Sequence, residues 1–360
     1  MICAELPETN TARQNVVFML KPEISVAPMM DLTDRHCRAF LRLFSNNLRL
    51  YTEMRVVGSI LFGDRDGFLR FNECEHPVIL QLGGSDPQQL AQCAHFAEQW
   101  GYDEVNLNVG CPSDRVKNAT FGACLMAQPR LVAECVAAMK AEVSIPVTVK
   151  TRIGIDDQDS YEELVNFIGE VNRGGCEHFI VHARKAWLHG LSPKENRTIP
   201  PLHYDRVYQL KQDFPALRFT INGGVTDLDQ SQEHLKHVDG VMIGREAYHN
   251  PWILHDVDRR FYSSSNNSSS KCSSGVQTRF DIVEAYLPYV ESQLSQGVYL
   301  RHMTRHILGL FHGRPGAKSW RRYLSEYGPR KGAGLDVITT ALQFVEADDD
   351  TIPIPQAAAG

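Results

Sequence analysis

The sequence has no closely paired cysteines. Its nine cysteines, at positions 3, 37, 74, 93, 111, 124, 135, 176 and 272, form no Cys-x-x-Cys pair. None shows the clustered Cys/His spacing of a zinc site, so the thiols read as reduced and no metal is expected. Long apolar runs are also missing, and nothing approaches the ~20 residues needed to span a bilayer. Cations are not in excess: 37 lysines and arginines face 43 aspartates and glutamates, for a net charge of -6. Global charge therefore gives no sign of nucleic-acid binding, and only a local patch could supply it. The first twenty residues carry Glu5 and Glu8 against Arg13 alone, which is a poor targeting segment. The chain reads as soluble, cytoplasmic and monomeric, with an organellar site left open and no membrane or DNA partner.

What the sequence does have is alternation. Short β-rich runs cover Ile24 to Ala27, Leu50 to Met54, Pro77 to Leu82 and Asp103 to Asn108. They continue at Pro146 to Lys150, His178 to Ala183, Arg218 to Asn222 and Val241 to Gly244. Amphipathic helical stretches such as Pro87 to Trp100, Pro129 to Ala141 and Tyr161 to Arg173 lie between them. Eight strands alternating with helices predict an α/β fold, a TIM (β/α)8 barrel followed by a small C-terminal helical domain. An open doubly wound sheet would carry a glycine fingerprint after its first strand, where Ala27-Pro28-Met29-Met30-Asp31 stands instead. The expected organisation is an N-terminal extension at 1–20, a barrel at 21–260 and a serine-rich linker at 261–276. A helical domain at 277–345 and an acidic tail at 346–360 complete it.

Barrel active sites lie at the C-terminal ends of the strands. The polar residues expected there are Glu53, Gln81, Asn108, Cys111, Lys150, His182, Asn222 and Arg245, with Met29 and Met30 after the first strand. Gly223-Gly224 and Gly244-Arg245 follow strands seven and eight, where many barrels bind phosphate through backbone N–H groups and a helix N-terminus. Lys150 suits either a Schiff base or the negative charge of a cofactor ring. With the amides of Gln81 and Asn108 it favours FMN across the mouth. Cys111, in Asn108-Val109-Gly110-Cys111-Pro112-Ser113, is a competent proton donor, and Arg115 and Lys117 stand close enough in sequence to favour its thiolate.

These segments resemble the tRNA-dihydrouridine synthases. The likeness is carried by Ala27-Pro28-Met29-Met30-Asp31, the Asn-Val-Gly-Cys-Pro-Ser run, His182-Ala183-Arg184, Asn222-Gly223-Gly224 and Gly244-Arg245. Ser192-Pro193-Lys194-Glu195-Asn196-Arg197 and Arg305 to Phe311 look like the A-type subfamily, and the likeness spans roughly 22 to 330. The resemblance implies that NADPH (or NADH) reduces FMN, that hydride reaches C6 of uracil, and that Cys111 protonates C5. It implies FMN contacts at Pro28, Met29, Met30, Gln81, Lys150, His182, Asn222, Gly223, Gly224, Gly244 and Arg245. It also implies tRNA contacts at Asn108, Lys194 and Arg197, with uridines 20 and 20a as targets. Leu32, where the family has tryptophan, and Arg55-Val56-Val57, where it has small uncharged residues, depart from the pattern.

A tRNA partner needs cations, and residues 301 to 331 supply Arg301, Arg305, Arg314, Lys318, Arg321, Arg322, Arg330 and Lys331 against Glu326 alone. Arg321 and Arg322 are the candidate tRNA contacts among them, with Trp320 and Tyr323 as stacking or packing groups. The competing readings are a flavin reductase of a free pyrimidine or small enone, a Schiff-base lyase using Lys150, and a tRNA-binding protein without catalysis.

Overall fold

The computed structural model describes residues 22–113, 121–262 and 278–346. The expected N-terminal extension, nearly all of the serine-rich linker and of the acidic tail, and Arg115 and Lys117 lie outside the described residues.

Among the described residues, nine parallel strands form the sheet: β1 (Glu23–Val26), β2 (Arg49–Tyr51), β3 (Arg55–Val56), β4 (Val78–Gly83), β5 (Glu104–Val109), β6 (Val147–Arg152), β7 (His178–His182), β8 (Arg218–Asn222) and β9 (Gly240–Ile243). Eight of them close a barrel, because β1 pairs with β9 (Ile24 with Val241) and β2 pairs with both β1 and β4. The ninth, β3, was not foreseen. It pairs Val56 with Gly83 at the C-terminal end of β4, so the second expected strand is shorter than predicted and leaves Glu53 beyond its end.

Strand residues alternate faces with period two. Val78, Leu80 and Leu82 of β4, Val105, Leu107 and Val109 of β5, and Phe179 and Val181 of β7 join the buried core under the helical ring. Their neighbours point into the barrel. In the interior, Ala27, Tyr51, Ile79, Ile180 and Met242 form a separate apolar cluster. Around it, Arg49 pairs with Glu104 and, at 3.4 Å, with Glu23. His178 Nε2 lies 2.8 Å from Thr220 Oγ1, and burial pushes this imidazole down to about 4. The same alternation sends Gln81, Asn108, Lys150, His182 and Asn222 inward at the C-terminal ends.

The outer helices start on the caps that the sequence provides. Asp86 accepts from Gln89 N–H before Pro87, and Ser160 forms a capping box with Glu163. Helices Arg279–Ser295, Arg301–Ile307, Ala317–Tyr327 and Leu335–Leu342 follow the barrel. They dock on the helix Arg35–Arg42: Phe40 meets Tyr286 edge-on at 5.3 Å, Tyr289 Oη lies 2.7 Å from His36 Nδ1, and buried His306 lies 2.9 Å from Asp34. Trp320 is fully buried and donates its Nε1–H to Ile307 O at 3.2 Å. It is therefore a packing group, unable to stack on a base, because its ring fills the space between these helices.

Candidate active site

The turn after β1 is held from three sides. Thr33 Oγ1 accepts the Met29 N–H at 3.0 Å, and Arg38 fixes Thr33 by donating to its carbonyl at 2.7 Å. Asp31 sits at φ 62, a left-handed conformation that non-glycine residues rarely adopt. Its N–H is held by Glu53 Oε1 at 2.7 Å, and Arg55 pairs with Glu53 at 3.2 Å. Arg55, which departs from the family pattern, thus supports the turn that presents Pro28, Met29 and Met30. Met30 is the exposed member of that set.

Cys111 follows β5. Asn108 Oδ1 accepts the N–H groups of Gly110 at 3.1 Å and Cys111 at 3.0 Å. Asn108 Nδ2 donates to Gln81 Oε1 at 2.9 Å. The Cys111 carbonyl receives the Ala123 N–H at 2.9 Å, while the half-buried thiol meets Ser113 Oγ at 3.4 Å. Arg152, buried in β6, closes the loop from the other side. Its Nε donates to Gly110 O at 2.8 Å, and its Nη1 donates to Lys185 O at 3.0 Å and Asn196 O at 3.1 Å. No carboxylate pairs with Arg152 among the described residues, and burial pushes its pKa down to about 10.

Lys150 lies two residues before Arg152 on the same strand face. Its Nζ donates to Asn222 Oδ1 at 3.1 Å, and Asn222 Nδ2 donates to Met242 O at 2.8 Å. Burial, with a smaller contribution from Arg152, pushes the Lys150 ammonium down to about 7. His182 is held well below its ordinary range by burial and by the charges of Arg152 and Lys150. Its imidazole is therefore neutral, and among the described residues its buried Nδ1 has no hydrogen-bond partner of ordinary geometry.

Gly223 and Gly224 take φ +116 and +76. A Cβ on Gly224 would come within 2.7 Å of Leu202 Cδ1 and Tyr204 Oη, so these two side chains can pack against the turn only because the residue is glycine. Tyr204 Oη donates to Gly223 O at 2.7 Å and braces it. Gly244 has open space where a Cβ would stand. The helix-dipole contribution expected beside these glycines is small, because the helix Arg245–His249 has only 5 residues and the one after β8 is capped by Asp227. The guanidiniums of Arg245 and Arg197 lie near enough that, after burial, Arg245 is the main cause lowering Arg197.

The structure joins Cys111, Asn108 and Gln81 by direct hydrogen bonds, joins Lys150 to Asn222, and sets His182 against Gly223. Lys194, Arg321 and Arg322 are exposed, and their side chains make no hydrogen bond or ion pair with this set among the described residues. Asn108 is largely occupied with Gln81 and the cysteine loop, and at 8% exposure it offers little surface. Arg152 was missed in the sequence. The signal was available, since Lys150 and Arg152 stand two apart on one strand.

A family model described as dihydrouridine synthase matches residues 25–346. The chain belongs to the dihydrouridine synthase family. It is accordingly an oxidoreductase that saturates a carbon–carbon double bond. It is 60% identical to a tRNA-dihydrouridine(20/20a) synthase of Shewanella oneidensis, over 90% of this chain and 94% of the relative. Relatives bearing the same name occur in Escherichia coli K12, at 62% identity over 89% of this chain and 91% of theirs, and in Vibrio vulnificus, at 59% over 91% and 98%. A 2-naphthoyl-CoA reductase complex shares the fold, with a TM-score of 0.50 at 12% identity over 66% of this chain and 50% of that one.

Proposed function

We propose that this enzyme reduces uridines 20 and 20a in the D-loop of tRNA to 5,6-dihydrouridine, with FMN as its flavin and NADPH as reductant. The observation that carries the reading is the thiol of Cys111, held at a barrel mouth that also contains Lys150, Arg152 and a neutral His182. The mouth fits an anionic flavin. Among the described residues the buried His182 Nδ1 lacks a hydrogen-bond partner of ordinary geometry, and Gly244 leaves open space where a Cβ would stand. Pro28, Met29, Met30, Gln81, Lys150, His182 and Asn222 would hold the ring and its side chain. Gly223, Gly224, Gly244 and Arg245 would take the phosphate. When bound, the flavin supplies the hydride that C6 of uracil receives.

The chain's own residues supply the rest. Cys111 gives its proton to C5 and is left as a thiolate, whose charge is opposed by the nearby cations of Lys150 and Arg152. Asn108, Ser113 and Arg152 hold the thiol in place for that transfer. A base stacked in tRNA must be extruded to reach the mouth, which leaves the backbone to surface cations. Lys194 and Arg197 on the rim, with Arg321 and Arg322 on the helix Ala317–Tyr327, would provide them, and Asn108 would meet the base. The enzyme would work as a cytoplasmic monomer.

The test is to supply the purified protein and NADPH with tRNA lacking dihydrouridine, and in parallel with free uracil. Dihydrouridine at positions 20 and 20a, with free uracil unchanged, is the expected result. Turnover of free uracil with none on tRNA would overturn the proposal.

A further inference from the structure

Inside the barrel a chain of hydrogen bonds runs in one direction only. The N–H groups of Gly110 and Cys111 both point at the Asn108 side chain, at 3.1 and 3.0 Å. A backbone N–H can only donate, so the amide oxygen of Asn108 must face them and its nitrogen must face Gln81. Asn108 Nδ2 then donates to Gln81 Oε1 at 2.9 Å, Gln81 Nε2 to Asn106 Oδ1 at 2.8 Å, and Asn106 Nδ2 to Thr148 Oγ1 at 2.9 Å. The Thr148 hydroxyl donates to Glu104 Oε1 at 2.6 Å. At this far end the acceptor is a carboxylate paired with Arg49, which also takes the Tyr51 hydroxyl at 3.3 Å. Both ends therefore impose the same direction on every amide between them. Asn106 and Thr148 are 0% and 2% exposed.

The direction has a consequence at the mouth. Two backbone donors saturate the oxygen of Asn108, and one of its two N–H groups is taken by Gln81, so one N–H is all it can offer a ligand. Gln81 keeps one N–H and one lone pair on Oε1, so Asn108 is the member of the pair that can only donate. We infer that Asn106 and Thr148 are positioning residues that hold Gln81, and through it the Asn108 amide, in place at the mouth, so that Asn108 meets a ligand as a fixed donor and selects it by its hydrogen-bond acceptor. This rests on the assignment of Gln81 to the flavin and Asn108 to the base proposed above. A pyrimidine with a carbonyl at C4, as in uracil, meets a donor there. Cytosine presents an amino group instead and sets donor against donor.

Thr148→Val and Thr148→Ser separate this role from packing. Valine keeps the shape and loses the hydroxyl, whereas serine keeps the hydroxyl and loses a methyl. In the flavin-loaded enzyme, T148V should lower kcat about tenfold while leaving KM for tRNA within about twofold. It should also narrow the preference for tRNA with uridine over tRNA with cytidine at the target position. T148S should behave as wild type. A packing role predicts the reverse order, and T148V equal to wild type, or T148S as impaired as T148V, would overturn the inference. Should T148V fail to fold, Asn106→Leu interrupts the same chain and carries the same expectation. Wild-type protein without flavin or without activity on tRNA would instead refute the site assignment, so the two failures are distinguishable.

Discussion

Replacing Arg152 with methionine keeps most of the side chain's bulk in β6 and removes its guanidinium. The carbonyls of Gly110, Lys185 and Asn196 then lose donors at 2.8, 3.0 and 3.1 Å. A hydrogen bond from a charged group contributes about 2 kcal/mol, so three contribute about 6. Against this stands the burial of a cation with no carboxylate partner. Burial, with the nearby charges of Arg197 and Arg184, lowers its pKa from 12.5 to about 10, an opposing contribution of about 3 kcal/mol. The net loss is about 3 kcal/mol, concentrated where Gly110 leads into Cys111. Asn108 still holds the loop from below, so R152M should fold and bind tRNA, with a melting temperature several degrees lower. A thiol displaced by about 1 Å loses on the order of 10²-fold in rate. Single-turnover kinetics show this directly: protein carrying reduced flavin is mixed with tRNA, and the return of oxidised-flavin absorbance is timed. Arg152→Lys, which keeps the charge but has a single donor nitrogen, should fall between wild type and R152M. R152M that melts and turns over like wild type would refute the clamp, and R152M that only melts earlier would confine Arg152 to stability.

Gly224→Ala adds a Cβ 2.7 Å from Tyr204 Oη and Leu202 Cδ1 at a residue with φ +76. FMN affinity should fall by at least about tenfold in a fluorescence titration, and unchanged affinity would mean that the Gly223-Gly224 turn is not the phosphate site. Burial and Arg152 set the Lys150 ammonium at about 7, below the ordinary lysine range, so its charge is present below about pH 7 and is lost as pH rises through it. FMN, an anion, should therefore bind more weakly from about pH 6 to pH 8, and Lys150→Met should flatten that slope; a slope unchanged in the variant would exclude Lys150 as its source. The same depressed value means that the flavin-free fold gains stability as pH rises from about 7 towards the ordinary lysine range near ~10, and K150M should lack that gain too.

Much of the barrel was legible because period-two alternation and turn spacing are properties of the chain itself. Gln81, Asn108, His182 and Asn222 follow apolar residues that face the helices, and Lys150 follows Val149, so their strand ends and inward direction could be read together. The glycines after β8 were equally plain, since their positive φ has a residue-type signature. What stayed hidden depended on partners far apart in sequence. Nothing local shows that Arg55 pairs with Glu53 to support Asp31, or that Arg152 reaches the carbonyls of Lys185 and Asn196. Trp320 shows where the sequence left two roles open. An aromatic within a cationic run suggests base stacking, but its burial against Ile307 is set by how the C-terminal helices pack.

The central claim is that Cys111 delivers the proton to C5 of the tRNA uridine. Its most direct test is the yield of dihydrouridine, mapped by position in tRNA, from Cys111→Ala compared with wild type under single-turnover conditions. The variant should retain flavin and tRNA binding, because the loop is held through backbone atoms by Asn108, Arg152 and Ala123. Its rate of product formation should fall by about 10²-fold or more, the scale of a lost general acid. Product formed by C111A at the wild-type rate would contradict the assignment of the proton to this thiol.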